Sequence, residues 1–502
     1  MAIEPIFEKI NYVKNHSEMT EQIRSECKTD VFCEEIESVL NVSARAVVNS
    51  VTAMDGKVEY NGKIVYYISY QTVDGQLKKA ECGNEFSGII KDAEIKSDMR
   101  SFATVTVDKC QAEAGGVKLS VNAYLTVKVF TSKNQQKDAL SGGNNLIIDK
   151  KEVPFVKSMG VRQGSYPLEE EFELDYPVEE VVSHRADAII TAVQCGVGTI
   201  IVDGEVLLSI IVLQKNEKRD IIRENKSLPF RMEIECEEAM PTMNASARVF
   251  EKSYKTDVLV DENKGTSVVS ASVVLKFEGE AFVDSELSLV SDAFSVDQDI
   301  ELITEEIPYL KTCEMRCLSA FASGRVGVEQ LPIGSVLLAV GGESAYITEK
   351  KCEDGALKVS GILTAVGYFK NEGKFFTRKL ETPFECSFDC AFSCDTELEV
   401  HLKPQKAKGK IVTLEEVDLE AEMLFNVYPT VCERINLVSG VKTVGEKKKK
   451  DCALSVYIPV EGEELWSLAK RLNVCPETLI ETNKDLCFPL TGKERIVLYR
   501  QK

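Results

Sequence analysis

Apolar and polar residues alternate along most of the first 440 or so positions of this 502-residue chain. From position 228, the residues Leu228, Phe230, Met232, Ile234 and Cys236 alternate with polar or charged neighbours. From position 384, the alternating residues are Phe384, Cys386, Phe388, Cys390, Phe392 and Cys394. A period of two is typical of strands that bury one face. The pattern therefore predicts antiparallel sheets with one apolar side and one side in water.

Three of the predicted strands carry a central glycine, at Gly62, Gly204 and Gly361. These glycines are about 150 residues apart, a separation that suits whole domains better than short solenoid repeats. A phenylalanine follows each of them, at Phe86, Phe230 and Phe384. A glycine inside a strand indicates a bulge, a bend or a close approach of another backbone. The fold class predicted is mainly β, with three tandem antiparallel β-sandwich or barrel-like repeats.

The weak pattern at the N-terminus and the change of pattern near position 450 set the expected boundaries. We expect a helical cap or tail in about the first forty residues. The expected units are an N-terminal segment (1–30), repeat 1 (31–140), repeat 2 (155–290), repeat 3 (297–435), a basic linker (436–453) and a C-terminal domain (454–502).

The C-terminal domain changes from period two to helical spacing. Tyr457 and Ile458 begin a short strand, Gly462 supplies a turn, and Pro476 suits the start of a second helix. The apolar stripe of the first helix is Leu465, Trp466, Leu468, Ala469 and Leu472. Ile496 to Tyr499 make a closing strand. This order resembles the LysM module, a small β-α-α-β unit that binds N-acetylglucosamine-containing glycans or, in some proteins, another protein.

The LysM resemblance implies that ligands are bound by two loops that face each other across a shallow groove. The residues implied are Glu461, Gly462, Glu463, Glu464, Lys484, Asp485, Leu486, Phe488, Pro489 and Thr491. The Gly-Asp-Thr usual in the family is replaced by Gly462-Glu463-Glu464, which places bulkier acid where a hydroxyl normally sits. That change is consistent with a protein ligand. We expect Trp466, the sole tryptophan, to pack between the two helices rather than to stack on a sugar.

The formal net charge of −21 argues against nucleic acid or an anionic membrane as the main partner. The one basic run, 447–450, is interpreted as a solvated linker. No apolar stretch approaches the length of a membrane span. The N-terminus lacks a basic region followed by an apolar one, so we expect no secretory signal and a cytoplasmic protein. Its 16 cysteines would then stay reduced, and Cys475 and Cys487 would pair only in an oxidant.

Candidate catalytic and metal-binding patterns are weak. Cys386, Cys390 and Cys394 have a spacing that a metal could use, but they share the apolar side of one strand with phenylalanines, which favours packing. His16, His184 and His401 share no motif. The run from Gly196 to Thr199 lacks the third glycine and the helix of a dinucleotide loop. We therefore expect no catalytic residue, no metal site and no cofactor.

Three β-rich repeats followed by a LysM-like module are similar to the SPOCS-domain proteins of spore-forming Firmicutes, of the SipL type. The resemblance implies a non-catalytic spore-coat morphogenesis adaptor at the forespore surface, in the mother-cell cytoplasm. It further implies that the LysM domain docks onto a SpoIVA-like coat basement-layer ATPase, while the repeats contact other coat proteins. The alternative is a cell-wall protein that binds N-acetylglucosamine polymers.

Overall fold

The structure is a computed structural model. It describes residues 3–30, 35–261, 264–353, 355–389, 396–447 and 454–499, without the side chains of 15–17 and 251. The fold is mainly β, with two short helices near the C-terminus, which confirms the predicted fold class. Within the described residues, neither helix is long and apolar enough to cross a membrane.

Each repeat is built from two antiparallel sheets with the same strand order. In repeat 1, β2–β3–β4 form one sheet and β1–β6–β5 form the other. The first strand of the repeat therefore pairs with the last. The bounds are β1 (Glu4–Asp30), β2 (Ile36–Met54), β3 (Lys57–Thr72), β4 (Leu77–Lys91), β5 (Arg100–Gly115) and β6 (Lys118–Asn144).

Repeat 2 follows the same plan, with sheets β8–β9–β10 and β7–β12–β11. Its bounds are β7 (Ile147–Leu174), β8 (Val178–Cys195), β9 (Thr199–Gln214), β10 (Ile221–Glu235), β11 (Asn244–Asp261) and β12 (Thr266–Phe294). In repeat 3 the first strand is divided into β13 and β14, which both pair with β19. Its bounds are β13 (Gln298–Thr312), β14 (Arg316–Gly327), β15 (Val336–Glu353), β16 (Ala356–Asn371), β17 (Lys374–Asp389), β18 (Thr396–Thr413) and β19 (Glu416–Glu446).

The anchor glycines make room for an aromatic ring and a backbone oxygen. Gly204 lies directly opposite Phe230, and a Cβ at Gly204 would lie 2.4 Å from the carbonyl oxygen of Ile189 and 2.5 Å from the Phe230 ring. The equivalent pairs are Gly62 with Phe86 and Gly361 with Phe384. The neighbouring strand also has a register shift beside each glycine. Both a bulge and a close approach are therefore present.

Each repeat has its own apolar core between its two sheets. Cys386 lies in the core of repeat 3 together with Phe384 and Phe388, as the packing interpretation expected. Cys390, Phe392 and Cys394 lie outside the described residues, as do 448–450 of the basic run, and the side chain of His16 is not described.

The three repeats surround a common axis, because equivalent strands from all three meet in shared clusters. Tyr12 of β1, Phe155 of β7 and Tyr309 of β13 lie in one cluster, formed by the long first and last strands. Leu40 of β2, Val182 of β8 and Ala339 of β15 lie in another. Each repeat thus contacts both others.

Arg248 of repeat 2 joins all three repeats beside a cavity of about 2820 Å³ that lies between them. Its guanidinium carbon lies 5.3 Å from the ring centre of Phe102 in repeat 1 and 5.7 Å from that of Tyr428 in repeat 3. Its Nη1 lies 3.1 Å from the Glu399 carboxylate. Burial would raise the pKa of Glu399, but His401, Arg248 and Lys350 outweigh it and lower the pKa to about 2.

Two expectations for the ends of the repeats were wrong. The expected helical cap in the first forty residues is instead strand β1, which pairs with β6 along its length. Its apolar residues are divided between two clusters, with Ile10 and Tyr12 in the cluster shared by the repeats and Met19, Ile23 and Cys27 against the core of repeat 1. Residues 436–446 of the expected linker belong to β19, where they pair with β13.

The C-terminal unit has the predicted β-α-α-β order. Its elements are β20 (Leu454–Tyr457), α1 (Leu465–Leu472), α2 (Pro476–Thr482) and β21 (Ile496–Tyr499), and β20 pairs with β21. Helix α1 ends at Asn473, whose φ of 52° is in the left-handed region where asparagine is tolerated. Pro476 is the first residue of α2, a position where no backbone donor is needed.

Candidate partner-binding face of the C-terminal unit

The two loops implied by the sequence lie side by side and are joined by hydrogen bonds. Gly462 has a φ of +82°, which few other residues adopt, and its N–H donates to the Leu490 carbonyl at 2.7 Å. The Leu490 N–H donates to the Glu463 carbonyl at 3.0 Å. Gly492 approaches Glu461 so closely that a Cβ there would lie 3.1 Å from the Glu461 nitrogen. The structure thus brings the two loops together.

Glu463 faces inward, although it was predicted among the binding residues. Its side chain is 7 % exposed, forms an ion pair with Arg471 and accepts a hydrogen bond from the Val460 N–H at 3.1 Å. The Arg471 guanidinium also lies over the Tyr457 ring at 4.9 Å. Glu463 therefore holds its loop against α1 and β20.

The remaining loop residues offer a mixed surface. Glu461, Gly462, Glu464, Lys484, Asp485, Pro489 and Thr491 are exposed, whereas Leu486 and Phe488 are half-buried. Thr491 is engaged locally, because its N–H and its hydroxyl donate to the Glu494 carboxylate at 3.0 and 2.7 Å. These hydrogen bonds lower the pKa of Glu494 to about 2. Most of the exposed charge on this face is acidic.

A row of exposed apolar residues, which sequence reasoning missed, lies on β20 and the three residues after it. We call Leu454, Val456, Ile458 and Val460 the apolar row; their exposed fractions are 55 %, 58 %, 66 % and 60 %. Strand β20 pairs with β21 alone, so its other edge has no strand neighbour among the described residues. The alternation was visible in the sequence, but it was interpreted only as a strand. Contiguous exposed apolar surface is characteristic of a protein-binding site.

Trp466, which was expected to pack between the two helices, lies against the core that they form and also contacts repeat 2. Its ring makes an edge-to-face contact with Phe294 at 5.2 Å between ring centres. Its indole N–H donates to an Asp292 carboxylate oxygen at 2.8 Å, and Lys470 donates to both oxygens of Asp292 at 2.6 Å. Burial would raise the pKa of Asp292, but these hydrogen bonds outweigh it and lower the pKa. Trp466 is therefore a docking residue, and this contact hides its indole from a sugar.

A second contact supports the same docking. The Lys447 ammonium donates to the Ser295 carbonyl at 2.9 Å and to the Asn473 side chain at the end of α1. Burial lowers the pKa of Lys447, while Asp299 partly offsets that effect. Phe294 itself lies in the apolar core of the C-terminal unit. The unit is thus attached to the tip of repeat 2 through its α1 face, which leaves the apolar row and the acidic loops exposed.

Comparison with known proteins identifies one part of the chain. Residues 35–115 match the family model described as SipL, SPOCS domain. The matched segment begins one residue before β2 and ends with β5, so it includes the whole β2–β3–β4 sheet. No curated protein and no solved structure matches the chain.

Proposed function

We propose, from the premise that this chain is a SPOCS-domain protein of the SipL kind, that it is a non-catalytic adaptor in spore-coat assembly. The match of residues 35–115 to the SPOCS domain carries this proposal. The adaptor acts in the mother cell at the forespore surface. Its repeats contact other coat proteins, and its C-terminal unit, which we propose is a LysM domain, docks onto a SpoIVA-like coat basement-layer ATPase.

The surface of the C-terminal unit supports a protein ligand. The apolar row lies on a strand with one open edge, where a partner strand or helix can cover it. The neighbouring acids Glu461, Glu464 and Asp485 suit a partner with basic residues around an apolar patch. Glycan binding has less support, because the indole of Trp466 contacts Phe294 and Asp292.

The docking of the C-terminal unit supports a role in orientation. Asp292 and Phe294 at the end of β12 hold α1, while the partner-binding face stays exposed. An adaptor built this way presents its ligand in a fixed direction relative to the three repeats. Coat proteins bound to the repeats would then be arranged around the ATPase with a defined geometry.

Direct binding of purified proteins tests the proposal. The full chain is titrated with the purified coat ATPase, and the variant Ile458→Glu is compared with Ile333→Glu. Ile333 is a matched control because it is 88 % exposed but lies in repeat 3. Since a buried apolar anchor commonly contributes about 2 kcal/mol or more, Ile458→Glu is expected to weaken binding at least roughly tenfold.

The control variant is expected to bind as the unaltered chain does. Equal affinity for all three chains would contradict docking through the apolar row. Binding to chitin oligomers with no binding to the ATPase would instead support the glycan alternative.

A further inference from the structure

Repeat 2 has a row of polar residues that includes an arginine, whereas the equivalent rows of repeats 1 and 3 contain none. The row crosses the face of the β8–β9–β10 sheet that is turned away from its own core, where Arg185, Ser209 and Asn225 lie directly opposite one another. Ser209 is five residues after the anchor glycine. The equivalent residues are Ser43, Tyr67 and Glu81 in repeat 1, and Gly341, Val366 and Lys379 in repeat 3.

A small cavity of about 60 Å³ lies against this row, between repeat 2 and repeat 3. That volume would hold roughly four water molecules, or one tetrahedral oxyanion. Its polar lining is Arg185, Asp187, Ser209, Arg223, Asn225, Lys226 and Ser227 from repeat 2, and Glu343, Gln405 and Lys406 from repeat 3.

Positive charge exceeds negative charge around this cavity. The side chains of Arg223 and Glu343 are 9 % and 2 % exposed and form an ion pair. Asp187, also buried, contacts Arg185 and Lys252 and lies 3.8 Å from Lys403. Lys226 and Lys406 also line the cavity, so its lining holds four cations and two carboxylates. An anion in the cavity would offset this excess of positive charge and so stabilise the interface.

Several hydrogen-bond donors at the cavity are unused. Arg223 donates through Nη1 to the Val340 and Ala407 carbonyls at 2.8 and 3.2 Å, and through Nε to Asn225 at 2.9 Å. Its Nη2 makes no hydrogen bond with any described residue. Arg185 donates a hydrogen bond through Nε to Asp187. Its two terminal nitrogens and the Ser209 hydroxyl make no hydrogen bond with the part of the chain that the structure describes. Arginine forks of this kind recognise phosphate-like oxyanions.

We propose that this cavity binds one small tetrahedral oxyanion, of the phosphate or sulfate class, which ties repeat 2 to repeat 3. The corresponding place between repeats 1 and 2 is filled by aromatic side chains. There the His184 ring lies 5.2 Å from Tyr67 and 5.5 Å from Tyr254, between ring centres. The anion site therefore has no counterpart between repeats 1 and 2, and its small volume favours a free ion over a phosphate group carried by a larger molecule.

Thermal unfolding of the full chain tests this site. The chain is desalted and then unfolded in inorganic phosphate or in chloride at equal ionic strength. Phosphate is expected to raise the Tm by a few degrees in the unaltered chain and to have no specific effect in Arg185→Gln. The control Arg231→Gln, which alters a side chain 60 % exposed on the same sheet, is expected to keep the full response. Phosphoserine, as the probe for a carried phosphate group, is expected to give no shift.

A second variant has an expected effect that misfolding cannot imitate. Ser209→Asp places a carboxylate directly opposite Arg185, where it would take the place of the anion. This variant is expected to have a higher Tm than the unaltered chain in chloride and to lose its response to phosphate. The proposal is overturned if Arg185→Gln responds to phosphate as the unaltered chain does, or if Ser209→Asp lowers the Tm in chloride and retains the phosphate response. A larger shift with phosphoserine than with phosphate would overturn the assignment to a free ion.

Discussion

Asp292 is the residue whose loss should release the C-terminal unit from repeat 2. The indole N–H of Trp466 donates to its carboxylate at 2.8 Å, and Lys470 adds an ion pair at 2.6 Å. A hydrogen bond to a charged group contributes about 1.5–3 kcal/mol. Because Lys470 is 45 % exposed, its ion pair adds only about 0–1 kcal/mol. Asp292→Ala should therefore weaken docking by about 1.5–4 kcal/mol, or roughly 10- to 1000-fold in the docking equilibrium.

The chain contains its own reporter of this docking, because Trp466 is its only tryptophan. In the docked state its ring lies against Phe294, and that aromatic contact contributes only about 0.5–1.5 kcal/mol. In Asp292→Ala the tryptophan emission should therefore shift to longer wavelength, and acrylamide should quench it more strongly.

Asp485→Ala is the matched control, since it removes the same charge from an exposed site on the C-terminal unit itself. Its emission and quenching should equal those of the unaltered chain. The reasoning is refuted if Asp292→Ala also keeps the unaltered spectrum, or if both variants change alike. The first result would mean that Phe294 and the apolar core hold the unit without the carboxylate.

Three further predictions concern the repeats. Gly204→Ala should lower the free energy of unfolding, measured in urea, by about 3 kcal/mol, because the added Cβ meets the Ile189 carbonyl. The control Gly445→Ala should change that free energy little, because a Cβ at Gly445 meets no atom within 4 Å. Arg248→Met should lower the free energy of unfolding by about 2 kcal/mol, because it removes an ion-pair partner of Glu399. The control Arg434→Met, which alters a side chain that is 70 % exposed, should leave that free energy unchanged in the same assay. Burial, with Lys79 and Arg45 nearby, lowers the pKa of His184 to about 4. In the unfolded chain the pKa of His184 is about 6.5, so the unfolded chain binds more protons than the folded one between pH 6.5 and 4. The free energy of unfolding should therefore fall by up to roughly 3 kcal/mol as the pH drops across that window. His184→Phe should reduce this loss, as measured by urea unfolding at pH 7 and 4.5.

The repeat architecture could be predicted from the sequence because its signal is local. Gly204 and Phe230 are close in the chain and lie opposite each other, so their recurrence in the other repeats marked the same hairpin each time. Strand β1 was missed because it pairs with β6, more than a hundred residues away along most of its length. A local pattern of apolar residues carries no information about such a partner.

The candidate site was predicted in part. The helices and the turn at Gly462 follow from residue spacing and backbone preference. The inward orientation of Glu463 depends on Arg471, and the place of Trp466 depends on Asp292 and Phe294 in another domain. The apolar row alternates as a buried strand would, and only the fold reveals that nothing described covers it. Sequence spacing identifies elements, but tertiary contacts decide which of their faces remain free.

Localisation in sporulating cells tests the central claim most directly. The full chain and its Ile458→Glu variant are each fused to a fluorescent protein and imaged in a spore-forming host during growth and sporulation. The account predicts a ring around the forespore for the unaltered chain and a diffuse mother-cell signal for the variant. Diffuse signal from the unaltered chain in sporulating cells, or signal at the outer cell wall, would contradict the adaptor proposal.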